Sequence, residues 1–183
     1  MSWTGLDAHP APHHRRLRRA ATQAMLAEAA RELGRPEPRL HRSPGRAPRP
    51  EPPGLHVSIA HAGRLTVCAV AEHGIGVDLE LRGTAREERL AAGPPARFFT
   101  AAELRAVEED PAELLRAFTA KEAWAKLLGR GLALGFGGFD EQSVRAARPD
   151  IAFSRPPIPG AVCTVCHRAG EPIRVRERKE PAA

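Results

Sequence analysis

Apolar residues between positions 13 and 33 recur with the spacing of a helix face. Leu17, Ala20, Ala21, Ala24, Met25, Leu26 and Ala27 carry the pattern, and Gly34 supplies a stop. Residues 35–54 hold seven prolines and five arginines and read as an extended basic loop. Three short runs then suit strands: Leu55–Ile59, Leu65–Ala71 (LTVCAVA) and Ile75–Leu79 (IGVDL), the last entered through a His73-Gly74 turn. Two helix starts follow. Thr100-Ala101-Ala102-Glu103 has the capping-box form, and Asp110-Pro111-Ala112-Glu113 approximates it with proline at the first helical position. The second helix is expected to run to Leu128 and stop at Gly129. Beyond the glycine-rich stretch 131–139, short strands are expected near 143–147, 151–154, 161–166 and 172–176.

The order helix, strands, helix, strands predicts an α+β chain in two halves that divide near residues 80–95. Residues 1–12 read as a disordered N-terminus, 13–82 as the first half, 83–177 as the second and 178–183 as a tail. At 183 residues and 42% hydrophobic content the chain is large enough for a real core. With 4% aromatics and no tyrosine, that core must be mostly aliphatic.

Charge narrows the partners. The net charge of +6 and the pI near 10.2 favour an anionic partner: a phosphorylated small molecule, an acidic protein or nucleic acid. Three cysteines give no disulfide framework, the first residues lack an apolar export segment, and no apolar run approaches a membrane span. A cytoplasmic protein without a membrane partner is therefore expected.

Within this arginine-rich chain only three lysines occur, and Lys121 and Lys126 flank Glu122 in a single segment, Phe118-Thr119-Ala120-Lys121-Glu122-Ala123-Trp124-Ala125-Lys126. Lysine is a compact point charge that suits phosphate. Glu122 and Lys126, four apart, share a helix face. They can form an ordinary surface pair or join a functional site. Upstream, Asp78 and Glu80 alternate on a predicted strand and so face the same side. They are either two solvated acids at a strand end or ligands of one hard cation. Oxygen ligands suit Mg²⁺, which is held by a few carboxylates plus substrate phosphates. Glu103 is read first as a helix cap, and His61 as a strand-end histidine well placed for a phosphate. Cys163-Thr164-Val165-Cys166-His167 formally matches a haem-attachment pattern, but on a strand its two thiols face opposite sides.

In order and spacing, three segments resemble the 4′-phosphopantetheinyl transferases, specifically the monomeric surfactin-synthetase-activating type. They are Val57–Gly63 with the strand that follows it, Gly74–Glu80, and Arg97–Glu103 together with Phe118–Lys126. The resemblance implies two similar α+β halves related by a pseudo-twofold axis, with coenzyme A in the cleft between them. It implies transfer of the phosphopantetheine arm to a serine of an acyl or peptidyl carrier protein, releasing adenosine 3′,5′-bisphosphate. By the same resemblance Asp78, Glu80 and Glu122 would hold Mg²⁺, and Lys126, helped by Lys121, would neutralise phosphate oxygens. Glu122 or a water would take the serine proton, and Glu103 would support the site. Arg46 and His61 would contact coenzyme A. Family members of this type begin with a further strand and helix that are mostly absent here, so either Arg15, Arg16, Arg18 or Arg19 would substitute in holding the 3′-phosphate, or a misplaced start or a shortened, weaker protein is expected. The competing readings are a nucleic-acid-binding module and an inactive homologue that only binds carrier protein.

Overall fold

The computed structural model describes residues 12–41, 48–93, 97–130 and 135–175, the side chains of 12–15 excepted. The first helix, α1, spans Pro12–Glu32 and buries Thr22, Leu26 and Ala30. It ends at Gly34, whose φ of 65° lies where a side chain would be strained. The expected basic loop contains two short strands, β1 (Arg39–His41) and β2 (Arg49–Glu51), paired antiparallel with Arg39 opposite Glu51. β3 (His56–Ala62) and β4 (Leu65–Ala71) form an antiparallel hairpin, and α1 lies against β4.

β5 (Gly76–Leu81) leads into α2 (Ala85–Ala92), a helix at the expected boundary between halves. Its signal was present in Thr84-Ala85-Arg86-Glu87: the Thr84 hydroxyl accepts from the Glu87 N–H at 3.3 Å, and the Glu87 carboxylate accepts from the Gly83 N–H at 2.6 Å. α3 (Ala101–Glu109) has both bonds of the Thr100–Glu103 capping box. α4 spans Glu113–Leu127 and starts later than expected. Asp110 accepts from the Ala112 N–H at 2.9 Å, which closes a turn before the helix, while Glu113 pairs with Arg116 rather than capping.

Residues 141–147 form a helix, α5 (Glu141–Ala147), where a strand was expected. A reciprocal Asp140–Ser143 capping box starts it, and a short stretch burying only Val144 has too little periodicity to separate helix from strand. β6 (Ile151–Ser154) and β7 (Ala161–Arg168) complete the strands. No strand forms over 171–175; Pro172 lacks an N–H for a ladder, although Ile173 still packs on the core.

β5, β7 and β6 form an antiparallel sheet in that order, and the alternation along β7 shows how the layers meet. Cys163 and Val165 point with Val77 and Leu79 toward Ala60 and the β3–β4 hairpin. Val162, Thr164 and Cys166 point the other way, onto α4. The two thiols therefore do lie in separate core clusters. Burial pushes both up to about 12, so they are inert packing groups at neutral pH.

α4 is buried over most of its girth, with Leu114, Leu115, Phe118, Ala120, Ala123, Trp124 and Ala125 inside. Truncating Phe118 or Trp124 to alanine would cost about 3–5 kcal/mol. The helix touches β5 where Gly76 sits. A Cβ there would lie 1.9 Å from the Ala123 carbonyl oxygen, so only glycine permits the approach. That contact sets how the α4 side chains meet the acidic end of β5.

Candidate functional site

In the antiparallel register Gly76 is opposite Cys166, Asp78 opposite Thr164 and Glu80 opposite Val162. Directly opposed residues share a face, so Asp78 and Glu80 both lie on the side that α4 covers. Thr164 is tied to the helix through a 2.8 Å contact between its hydroxyl and that of Thr119, and Thr119 also donates to the Leu115 carbonyl at 2.8 Å. This buried pair fixes β7 against α4 beside Asp78.

Lys126 reaches from the last turn of α4 to β5. Its ammonium donates to Asp78 Oδ1 at 2.7 Å and to the Val77 carbonyl at 3.0 Å. The other carboxylate oxygen, Asp78 Oδ2, is buried and has no hydrogen-bond partner. Burial raises the Asp78 pKa above the ordinary carboxylate range, and Lys126 only partly opposes this. Glu122 lies one turn before Lys126. Burial, then repulsion from Asp78, pushes its carboxyl up to about 7, against the opposing pull of Lys126 and Arg86. Glu80 pairs with Arg86 of α2 at 2.9 Å, and that guanidinium stands 5.5 Å over the Phe118 ring.

Among the described residues, no three Asp, Glu, His or Cys side chains converge as a ready-made cation cage. An orphaned buried carboxylate oxygen beside a second acid raised by burial nevertheless fits attachment of a hard divalent ion. Mg²⁺ commonly takes only one or two protein carboxylates and completes its shell with water and substrate phosphate.

Lys121, the other lysine of α4, has a different environment. Its side chain is 1% exposed and makes a 2.8 Å ion pair with Glu103. It also donates to the Phe136 carbonyl at 2.7 Å and to the Phe139 carbonyl, and it lies 4.8 Å from the centre of the Phe139 ring. An ammonium has three donors, and all are taken. Glu103 meanwhile accepts from the Thr100 N–H at 2.7 Å, so it caps α3 and holds Lys121 at once.

The structure thus brings Asp78, Glu122 and Lys126 together, puts Glu80 on the same face, and gathers Glu103 and Lys121 into a separate buried knot. His61 is exposed near the end of β3, opposite Thr66. Arg18 of α1 donates to the Gly63 carbonyl in the adjoining turn, which joins the basic helix to the histidine segment. Arg46 lies outside the described residues, as does the Arg15 side chain. Sequence reasoning missed Arg86 and the packing role of Gly76. The cap signal starting at Thr84 could have placed Arg86 in a helix, whereas no local signal shows which carboxylate it meets.

An acidic strand end, a lysine-bearing helix and the helix α2, whose Arg86 pairs with Glu80, come together in this small α+β protein. The chain belongs to the 4′-phosphopantetheinyl transferase superfamily, whose family model matches residues 74–177. That segment contains Asp78, Glu80, Glu103, Lys121, Glu122 and Lys126. Among curated proteins the chain is similar to the 4′-phosphopantetheinyl transferase psf-1 of Bacillus pumilus. The two are 30% identical over 139 residues, which cover 72% of this chain and 56% of the relative. The chain therefore spans little more than half the length of the curated relative it matches. No described helix is long and apolar enough to cross a membrane.

Proposed function

We propose that this protein transfers the 4′-phosphopantetheine arm of coenzyme A to a serine of an acyl or peptidyl carrier protein. The observation that carries the reading is the unpartnered, buried Asp78 Oδ2 beside Glu122 and Lys126, in a chain of this family. The serine oxygen attacks the β-phosphorus of the coenzyme A pyrophosphate. A new O–P bond forms, the bond to the bridging oxygen breaks, and adenosine 3′,5′-bisphosphate leaves with the electron pair. Phosphoryl transfer asks mainly for positioning and charge stabilisation, which fixed carboxylates and a fixed ammonium provide.

In this reading Lys126 bridges the acidic strand and the transferring phosphate: its side chain is 29% exposed and its ammonium is held by Asp78. The serine proton passes to the Glu122 carboxylate or to a water. Asp78 and Glu122, with Glu80 on the same face, would hold Mg²⁺, which supplies charge neutralisation at the pyrophosphate when bound. Lys121 and Glu103 act at one remove, by fixing α3 and the 136–139 turn to α4. His61 and Arg18 present a basic edge to coenzyme A, and Arg46 belongs to the same expectation. The proposal includes residues 13–82 and 83–177 as two similar halves about a pseudo-twofold axis, working as a monomer in the cytoplasm.

The test is intact-mass spectrometry of an apo carrier protein incubated with this protein, coenzyme A and Mg²⁺. The expected result is a gain of one phosphopantetheine arm, lost with Asp78→Ala. No gain across acyl and peptidyl carriers contradicts the proposal.

A further inference from the structure

Three carboxylates and two cations lie on the corner where β5, α2 and α4 come together. Lys126 takes Asp78, and Arg86 takes Glu80 through a 2.9 Å ion pair. The Glu80 side chain is 12% exposed, whereas that of Arg86 is 39% exposed and rests over Phe118. The Thr84 cap and the Glu87–Gly83 hydrogen bond hold the first turn of α2, which carries Arg86.

A guanidinium bound to a carboxylate oxygen uses lone pairs that a hard cation would also use. Its charge also opposes the approach of a second positive charge. Glu80 faces the same side as Asp78, yet it is engaged by Arg86 and does not close a three-carboxylate set with Asp78 and Glu122.

We propose that Arg86 is an internal counter-cation that competes with a divalent ion for Glu80, holding this carboxylate away from Asp78 and Glu122 until the ion binds. Arg86 is in this sense a positioning residue, acting through Glu80. The inference rests on the reading of Asp78 and Glu122 as divalent-ion ligands. It accounts for three acids on one corner of the fold that nevertheless do not converge.

The experiment is Mn²⁺ binding to the full chain without coenzyme A, read from the electron paramagnetic resonance signal of free Mn²⁺. Wild type, Arg86→Gln, Glu80→Gln and the double variant are compared, with Arg86→Met as a second exposed-site replacement and thermal melts to confirm folding. Removing the competing guanidinium should tighten Mn²⁺ binding by up to about fivefold. At least half of that gain should vanish when Glu80 is already glutamine. Unchanged or weaker binding in both Arg86 variants, with the wild type binding Mn²⁺, overturns the role of Arg86 alone. A full gain that persists without Glu80 overturns it as well. No Mn²⁺ binding by wild type or either Arg86 variant overturns this inference and the divalent-ion reading together, while carrier modification is judged separately by mass.

Discussion

One helix carries two lysines in opposite conditions. Lys121 is sealed: its side chain is 1% exposed, Glu103 and two carbonyls take its donors, and Glu103 in turn caps α3. Lys126 is open: its side chain is 29% exposed, and its partner Asp78 keeps one oxygen unsatisfied. Both are lysine–carboxylate pairs under 3 Å, so distance alone would rank them alike. What separates them is satisfaction. A completed buried pair holds structure together, whereas an incomplete one is poised for a ligand.

The largest expected effect breaks the sealed pair. Lys121→Met leaves the Glu103 charge and two carbonyl acceptors without their donor. Denaturant unfolding should show a loss of about 3–5 kcal/mol. Lys126→Met should cost only about 1 kcal/mol, since its pair is partly solvated and Asp78 can take up a proton. Equal losses at the two positions would erase the distinction. The next effect concerns the contact that brings α4 to β5. Gly76→Ala puts a methyl 1.9 Å from the Ala123 carbonyl oxygen and should lower stability by about 3 kcal/mol, with carrier modification falling alongside as Lys126 leaves Asp78.

A smaller effect sharpens the open side through pH. Glu122 has a folded pKa of about 7 against an ordinary value of 4.5, so the unfolded chain gives up this proton more readily. The stability contributed by the protonated form is complete below pH 4.5 and is lost as pH rises through 7. In metal-free protein, Glu122→Gln should therefore be more stable than wild type by about 1–3 kcal/mol at pH 8 and nearly equal to it at pH 4. Melting curves at the two pH values check this, and parallel pH profiles for the two proteins would contradict it.

Legibility of this molecule in its sequence followed the range of the interactions. Elements with local signals were readable: α1 with its Gly34 stop, the capping box at Thr100, and the alternation that puts Asp78 and Glu80 on one face. α5 was misread as a strand because a short amphipathic piece has no decisive period, and α2 was overlooked despite its cap signal. Sequence could place Lys121 and Lys126 on one helix but not tell them apart. Lys121 is defined by carbonyls at Phe136 and Phe139, and Lys126 by a strand far upstream, and neither distance is encoded locally. The partner of Arg86 was hidden for the same reason.

The most direct test of the account replaces Asp78 with asparagine and measures thermal stability and carrier modification on the same sample. Asparagine keeps the shape and removes a buried charge whose ionisation the fold disfavours despite Lys126. The account predicts a melting temperature unchanged or raised, with transfer of the phosphopantetheine arm lost. A lowered melting temperature with transfer retained would mean that the Asp78–Lys126 pair is a structural bond like its neighbour, and the open site would have to be sought elsewhere.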